Sequence, residues 1–539
     1  VALTLELYPD RALYRPGERV GLRLETRGAT AGAVAHLLIY HLAERVYEAS
    51  LPVETDGMLV FRWNPPAAPA GYGAEVSIVD PSGLVLGSSS TAFDVHAHWW
   101  EMPRYGFLTD FAPGEDGPVR VDVLLKHHVN ALQFYDWMYR HDRHLPPQED
   151  FTDPLGRSLS LAVVKKRIEQ AHGRGMAAMP YTTIYAGSGR YYAEHPEQAL
   201  YKSKGVPWTL GDDFLYIFDP SEGSDWRHHI LDEYRRILDA LSFDGLHIDQ
   251  YGDPKIAQDH DGRIVDLAPV IPGFLEESRR IAGPGRAVIF NLVNDWPVDN
   301  VAPTDVDAVY IEVWPPHNDY AALRDLVYRA KALSGNRPVI LAAYLSPGAE
   351  AAYRLLASVI AASGATRIEL GEGGALLADP YFPRYEHPGP QLAAWIRRYY
   401  DFITRYQEYL FALEPAGPAR GARLDGAPLA TGSFPENAVW LLSSSKPGLE
   451  VVHLINLSAS PSSEWRSDKH PPPVLGNLRL CYPVPGPVRA VYLASPDFPQ
   501  AGLQKAEFSQ SGRCLNVHIP CLEYWTAMII EIEGSSDVP

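Results

Sequence analysis

FDGLHIDQYGD (243–253) and DAVYIEVWPP (307–316) decide the fold. Each is a short apolar run that stops on an acid, Asp249 in the first and Glu312 in the second. Runs of this length, bounded by turn residues, read as strands buried on both faces, as in a parallel sheet covered by helices. In the first run Leu246 and Ile248 alternate with His247 and Asp249, so His247 and Asp249 point to one side. An acid at the end of an apolar strand is costly unless it is catalytic, ligates a metal or forms an ion pair.

Six more strings of the same kind surround these two: RYGFLTDF (104–111), NALQFYDW (130–137), MAAMPYT (176–182), AVIFNLV (287–293), PVILAAYL (338–345) and TRIELGE (366–372). The segments between them carry helical periodicity. Leu161, Val164, Ile168 and Ala171 share one face, as do Trp226, Ile230, Tyr234 and Ile237. Tyr320, Leu323, Val327 and Ala330 form a third such face, and Tyr353, Leu356 and Ile360 a fourth. Eight strand–helix units imply a (β/α)8 TIM barrel over residues 98–415. The alternative, an open doubly wound sheet, lacks the Gly-rich dinucleotide turn after its first strand.

Either side of this region the pattern changes. Residues 1–97 hold short alternating runs such as GLRLET and AEVSIVD, with Arg15-Pro16-Gly17 and Pro81-Ser82-Gly83 as turn signals, which reads as an immunoglobulin-like β-sandwich. Residues 416–539 return to short strands, among them LEVVHLINL and YWTAMIIEIE, and read as a C-terminal antiparallel β-sandwich. Three domains suit 539 residues, too many for one core.

The net charge of -19 argues against nucleic acid, and no apolar run is long enough to span a bilayer. Val1 stands where a start Met would, as in a chain trimmed before this numbering begins. The three cysteines, Cys481, Cys514 and Cys521, form no zinc pattern; unpaired buried thiols are favoured over a Cys514–Cys521 disulfide.

Function in such a barrel sits where strands end. The residues there are Asp110, Tyr135, Asp136, Trp137, Tyr181, His247, Asp249, Asn291, Asn294, Glu312, Trp314, Tyr344 and Glu372. Acids, amides and aromatics dominate, which suits a polyhydroxylated substrate. Asp249 and Glu312 lie on the fourth and sixth strands, in neighbouring sectors where a gap of about 5–5.5 Å is attainable. At that spacing one carboxylate serves as nucleophile and the other as acid, then base. Trp314 beside Glu312 would desolvate it and raise its pKa. Two other classes stay open: a metal-dependent hydrolase using His247, Asp249 and Asp253, and a catalytically silent glucan-binding protein.

FYDWMYRHDRHLP (134–146), FDGLHIDQYGD, YIEVWPP (310–316) and IELGEGGALLADPYFP (368–383) together resemble glycoside hydrolase family 66, which holds endodextranases and cycloisomaltooligosaccharide glucanotransferases. The resemblance implies a retaining attack on α-1,6-linked glucan such as dextran or isomaltooligosaccharides. It makes Asp249 the nucleophile and Glu312 the acid/base, with no cofactor and no metal. Asp136, Asn291 and Glu372 match positions expected to hold sugar hydroxyls, and Tyr135 and Trp314 would flank the ring. Tyr181 and His247 complete the expected substrate-binding set. Glucanotransferases of this family commonly carry a carbohydrate-binding module after the seventh barrel strand. VILAAYLSPG (339–348) here runs directly into the next helix, which favours hydrolysis over cyclisation. Leu246 stands where the family is expected to have Trp. The enzyme is expected to be secreted and monomeric.

Overall fold

The computed structural model describes residues 3–28, 32–54, 56–499 and 501–533. Its centre is a ten-stranded curled sheet. Seven strands, β1 (Tyr105–Leu108), β2 (Ala131–Phe134), β3 (Ala177–Thr183), β4 (Gly245–Asp249), β5 (Ala287–Val293), β6 (Val309–Glu312) and β7 (Val339–Ala342), follow one another in parallel. The eighth string is split into Thr366–Arg367, paired with β7, and Leu370–Gly371, paired with β1. One short segment thus bonds to both ends of the series. Two glycines allow that seam: a Cβ on Gly106 would lie 2.5 Å from the Leu370 carbonyl oxygen, and one on Gly371 would collide with that of Phe107.

Alternation along the strands sorts two cores. Tyr105, Phe107, Met179, Ile289, Tyr310 and Ile340 fill the inside of the curl. Leu132, Phe134, Leu246, Ile248, Phe290, Ile311 and Leu341 point outward against the helices. Those helices are α1 (Val119–Lys126), α2 (Leu161–His172), α3 (Asp225–Ala240), α4 (Val270–Ala282), α5 (Val298–Val301), α6 (Tyr320–Ser334), α7 (Glu350–Ala362) and α8 (Pro390–Arg405). The four periodic faces read from the sequence lie in α2, α3, α6 and α7, and their apolar residues are buried except for half-buried Leu161. Ser224 and Asp319 start α3 and α6 by accepting from the Arg227 and Ala322 amides. The fifth connection is a single turn, α5.

The N-terminal residues form a three-stranded sheet (Thr4–Pro9, Val20–Arg27, Gly57–Trp63) and a four-stranded one (Ala33–His41, Glu44–Val53, Ala70–Val79, Val85–Val95) around a shared core. The C-terminal residues form a seven-stranded and a four-stranded sheet. The larger of these is buried on both faces. From the strand Trp525–Ile532, Trp525, Ala527 and Ile529 join the central core, while Met528 and Ile530 enter the C-terminal one.

The cysteine expectation is corrected here. Cys481 and Cys514 form a disulfide and Cys521 is free. Cys514 and Cys521 lie on one strand, Cys514–Leu522, where seven residues of rise separate them by about 24 Å. Cys481 lies on the neighbouring strand, its Cα 5.9 Å from that of Cys514. Among the described residues no helix is long and apolar enough to cross a membrane.

Candidate active site

Asp249 is the last residue of β4 and Glu312 the last of β6; Asn291 projects from β5 between them. One nitrogen, Asn291 Nδ2, donates to Asp249 Oδ1 at 2.6 Å and to Glu312 Oε2 at 2.8 Å. Two bonds of 2.6 and 2.8 Å meeting at one atom cap the separation of those oxygens at their total, 5.4 Å. Asp249 accepts two further bonds, from Tyr181 OH at 2.7 Å and from the Gln250 amide at 2.9 Å. Glu312 accepts from Tyr344 OH at 2.9 Å.

Burial, and then the Glu312 charge, push Asp249 up to about 7 against the donors that favour its ionised form. Burial also raises Glu312, opposed by Asn291, Tyr344 and Trp314. Two acids this close titrate as a pair, so the first proton leaves more easily than the second.

Around the pair stand half-buried aromatics. Tyr135 stacks on Phe382 with ring centres 4.3 Å apart and packs tilted on Tyr181 at 5.1 Å. Trp314 packs on Tyr344 at 5.9 Å, and Asn294 Oδ1 pins the Trp314 amide at 2.7 Å. Asp136 sits in a left-handed turn, φ 47°, and burial pushes it up to about 7 against the pull of Arg157. Arg157 comes from a hairpin inserted between β2 and α2 (Asp150–Thr152 with Ser158–Ser160). It donates to the Asp136 carbonyl at 3.0 Å and the Thr109 carbonyl at 3.3 Å, and pairs with Asp153 at 2.7 Å.

Four residues singled out in the sequence lie buried. His247 does point to the same side as Asp249, but it lies deeper, 2% exposed, with Nδ1 3.1 Å from Tyr105 OH and its ring against Tyr310. Burial depresses it to about 3, so the ring is neutral at neutral pH. Glu372, 1% exposed, accepts from the Thr109 and Asp110 amides at 2.6 and 3.2 Å and from Arg120 at 3.1 Å. These bonds anchor the end of β1. Trp137 is fully buried, donating to the Tyr181 carbonyl, and offers no platform. Leu246 faces the helices, so its identity does not shape the cleft.

Sequence reasoning did not reach Arg157 or Phe382. A hairpin of three-residue strands carries no periodicity, and Phe382 opens a three-residue 3-10 turn after the last strand. Tyr344 stood among the strand ends without a role; its hydroxyl bond to Glu312 supplies one.

The C-terminal domain reaches this site too. Trp465 Nε1 donates to the His317 carbonyl at 2.9 Å and Arg466 Nη2 to the Val313 carbonyl at 2.8 Å, bracing the loop that follows Glu312.

Comparison with known proteins bears on this arrangement. Two Niallia circulans proteins named cycloisomaltooligosaccharide glucanotransferase are 24% and 25% identical to the chain; the first match covers 97% of it and 71% of the relative, the second 99% and 73%. A Streptococcus salivarius dextranase is 22% identical over 86% of the chain and 67% of its own length. The crystal structure of a Paenibacillus cycloisomaltooligosaccharide glucanotransferase complexed with cycloisomaltoheptaose superposes with a TM-score of 0.90 at 23% identity, covering 97% of this chain and 99% of that one. That likeness carries the multidomain fold. The model of the glycosyl hydrolase family 66 matches residues 9–530, nearly the whole chain, and the chain belongs to that family of glucan-active enzymes.

Proposed function

We propose that the curled sheet works as a (β/α)8 barrel whose C-terminal rim hydrolyses α-1,6-linked glucan internally, with retention of configuration. The observation that carries this is the Asn291 bridge. A cap of 5.4 Å on the two bridged oxygens lies below the roughly 6.5–9.5 Å of inverting pairs and favours the closer spacing of retaining enzymes.

Asn291, Tyr181 and the Gln250 amide donate to Asp249 and favour its ionised form, and the nucleophilic role requires the single proton of the coupled pair to stand on Glu312 when substrate is bound. Asp249 attacks the anomeric carbon while Glu312 gives its proton to the leaving oxygen, forming a covalent glycosyl-enzyme. Glu312, now a base, takes a proton from water, which attacks the same carbon and releases Asp249. Asp136 and Asn291 hold sugar hydroxyls, and Tyr135 and Trp314 flank the ring. Polymeric dextran does not enter cells, so the enzyme acts outside them.

Intramolecular transfer to cyclic products is the second reading. It is favoured by relatives named glucanotransferases, which match more of the chain than the dextranase does. Sizing the products from dextran over time, with and without a chelator, separates the readings. Linear isomaltooligosaccharides in both arms are expected. Cyclic products would move the reading to transfer, loss of products with chelator to metal chemistry, and binding without any product to a silent glucan-binding protein. The two acids are told apart by leaving group: Glu312→Gln keeps activity on substrates with very acidic leaving groups, Asp249→Ala does not. Equal loss on those substrates would sink the assignment of roles.

A further inference from the structure

A groove of about 580 Å3 runs where the N-terminal sandwich, the end of α8 and a C-terminal hairpin meet. It shares no lining residue with the site around Asp249. Its floor is a rigid pair of antiparallel strands, Ala70–Val79 and Val85–Val95, whose register sets Glu75 opposite Ser90 and Ser77 opposite Ser88 on one face. Arg405, 2% exposed, closes the base and donates to Glu75 at 2.7 Å. That pair cancels its own charge at the base, and the other cation of the lining, Lys505, stands exposed at the rim. The walls are Tyr40 on one side, and Tyr492 and Gln504 of the 488–505 hairpin on the other.

The size falls in the range of ligand sites, about 300–1,000 Å3, and a junction of domains is a preferred place for them. Hydroxyls and an amide that both donate and accept, with half-buried tyrosine rings beside them, match the alternating hydroxyl and C–H surfaces of a sugar. Phosphate and carboxylate ligands would instead call for an unpaired cation on the floor.

We propose that this groove is a non-catalytic binding site for a short stretch of neutral oligosaccharide. Resting on the function proposed above, the occupant is a segment of the same α-1,6-glucan that is cut at Asp249. A polymer held at two points is retained more strongly than at either alone.

The test uses full-length Asp249→Asn protein, which binds without cutting, titrated with isomaltotetraose by calorimetry and followed by hydrogen exchange. Two binding events are expected, with slowed exchange in residues 74–79 and 86–90 as well as around Asn291. Ser88→Trp, a change at an exposed position, should leave one event. The milder Gln504→Ala should weaken the second event about three- to tenfold. A single event that Ser88→Trp does not alter, with the groove strands unprotected, overturns the proposal and leaves the catalytic reading intact. Groove protection by maltotetraose, with isomaltotetraose binding nowhere, would support a saccharide groove and sink the α-1,6 reading instead.

Discussion

Asp249, Asn291 and Glu312 occupy the ends of three consecutive strands, and one amide nitrogen ties the outer two together. Burying an acid there, and then setting a second one beside it, has a cost in stability. Asp249 is raised to about 7 in the folded protein, whereas an unfolded aspartate titrates near ~3.9. Between those values the native state binds more protons than the unfolded one, so this group makes stability fall as pH rises from about 4 to about 7. Asp249→Asn should therefore unfold at a higher temperature than the wild type at pH 7.5, with the gap closing below about pH 4. Paired melting curves across that range check it; a constant offset would mean that the charge is not the cause. Tyr344→Phe removes a donor that favours ionised Glu312. The alkaline limb of its kcat/KM profile should move to higher pH, with kcat down about tenfold. At this scale the sequence showed which residues end strands and which side they face, but not depth. His247 shares a side with Asp249, yet two residues of rise put it about 6.6 Å lower, inside the packed layer.

Seven of the eight apolar strings and the four periodic helices were legible because each buries a continuous face. What was not legible is built from pieces too short to have a period: the split eighth strand, the single-turn α5 and the Asp150–Ser160 hairpin. That hairpin matters because Arg157 ties the ends of β1 and β2 together through the Thr109 and Asp136 carbonyls. Arg157→Ala should free the turn at Asp136, raising KM for dextran about tenfold with a smaller change in melting temperature. An equal loss in both, or in melting temperature alone, would make the hairpin a stability element only. Restoration by Arg157→Lys is expected to be poor, since an ammonium cannot bridge two carbonyls and a carboxylate in one plane.

Over the whole molecule the domains are joined by polar contacts as much as by apolar ones. Arg104, at the entry to β1, holds Asp94 of the N-terminal sandwich with bonds of 2.7 and 2.9 Å, and both side chains are fully buried. Asp94→Ala leaves that guanidinium unpaired and should cost about 3–5 kcal/mol. Calorimetry should show the sandwich and central domain still melting together at lower temperature; a separate early transition would mean that the sandwich folds as an independent unit. The change from strand–helix alternation to strand–turn alternation was readable in the sequence. The sharing of cores was not, since residues such as Trp525 and Met528 look alike in sequence and face different domains. The brace from Trp465 and Arg466 to the loop behind Glu312 has a consequence for ancestry. A C-terminal domain exchanged between two family members by recombination would bring a foreign strut to the catalytic loop. Such hybrids should be purged, and the three domains should descend as one inherited block rather than as interchangeable cassettes.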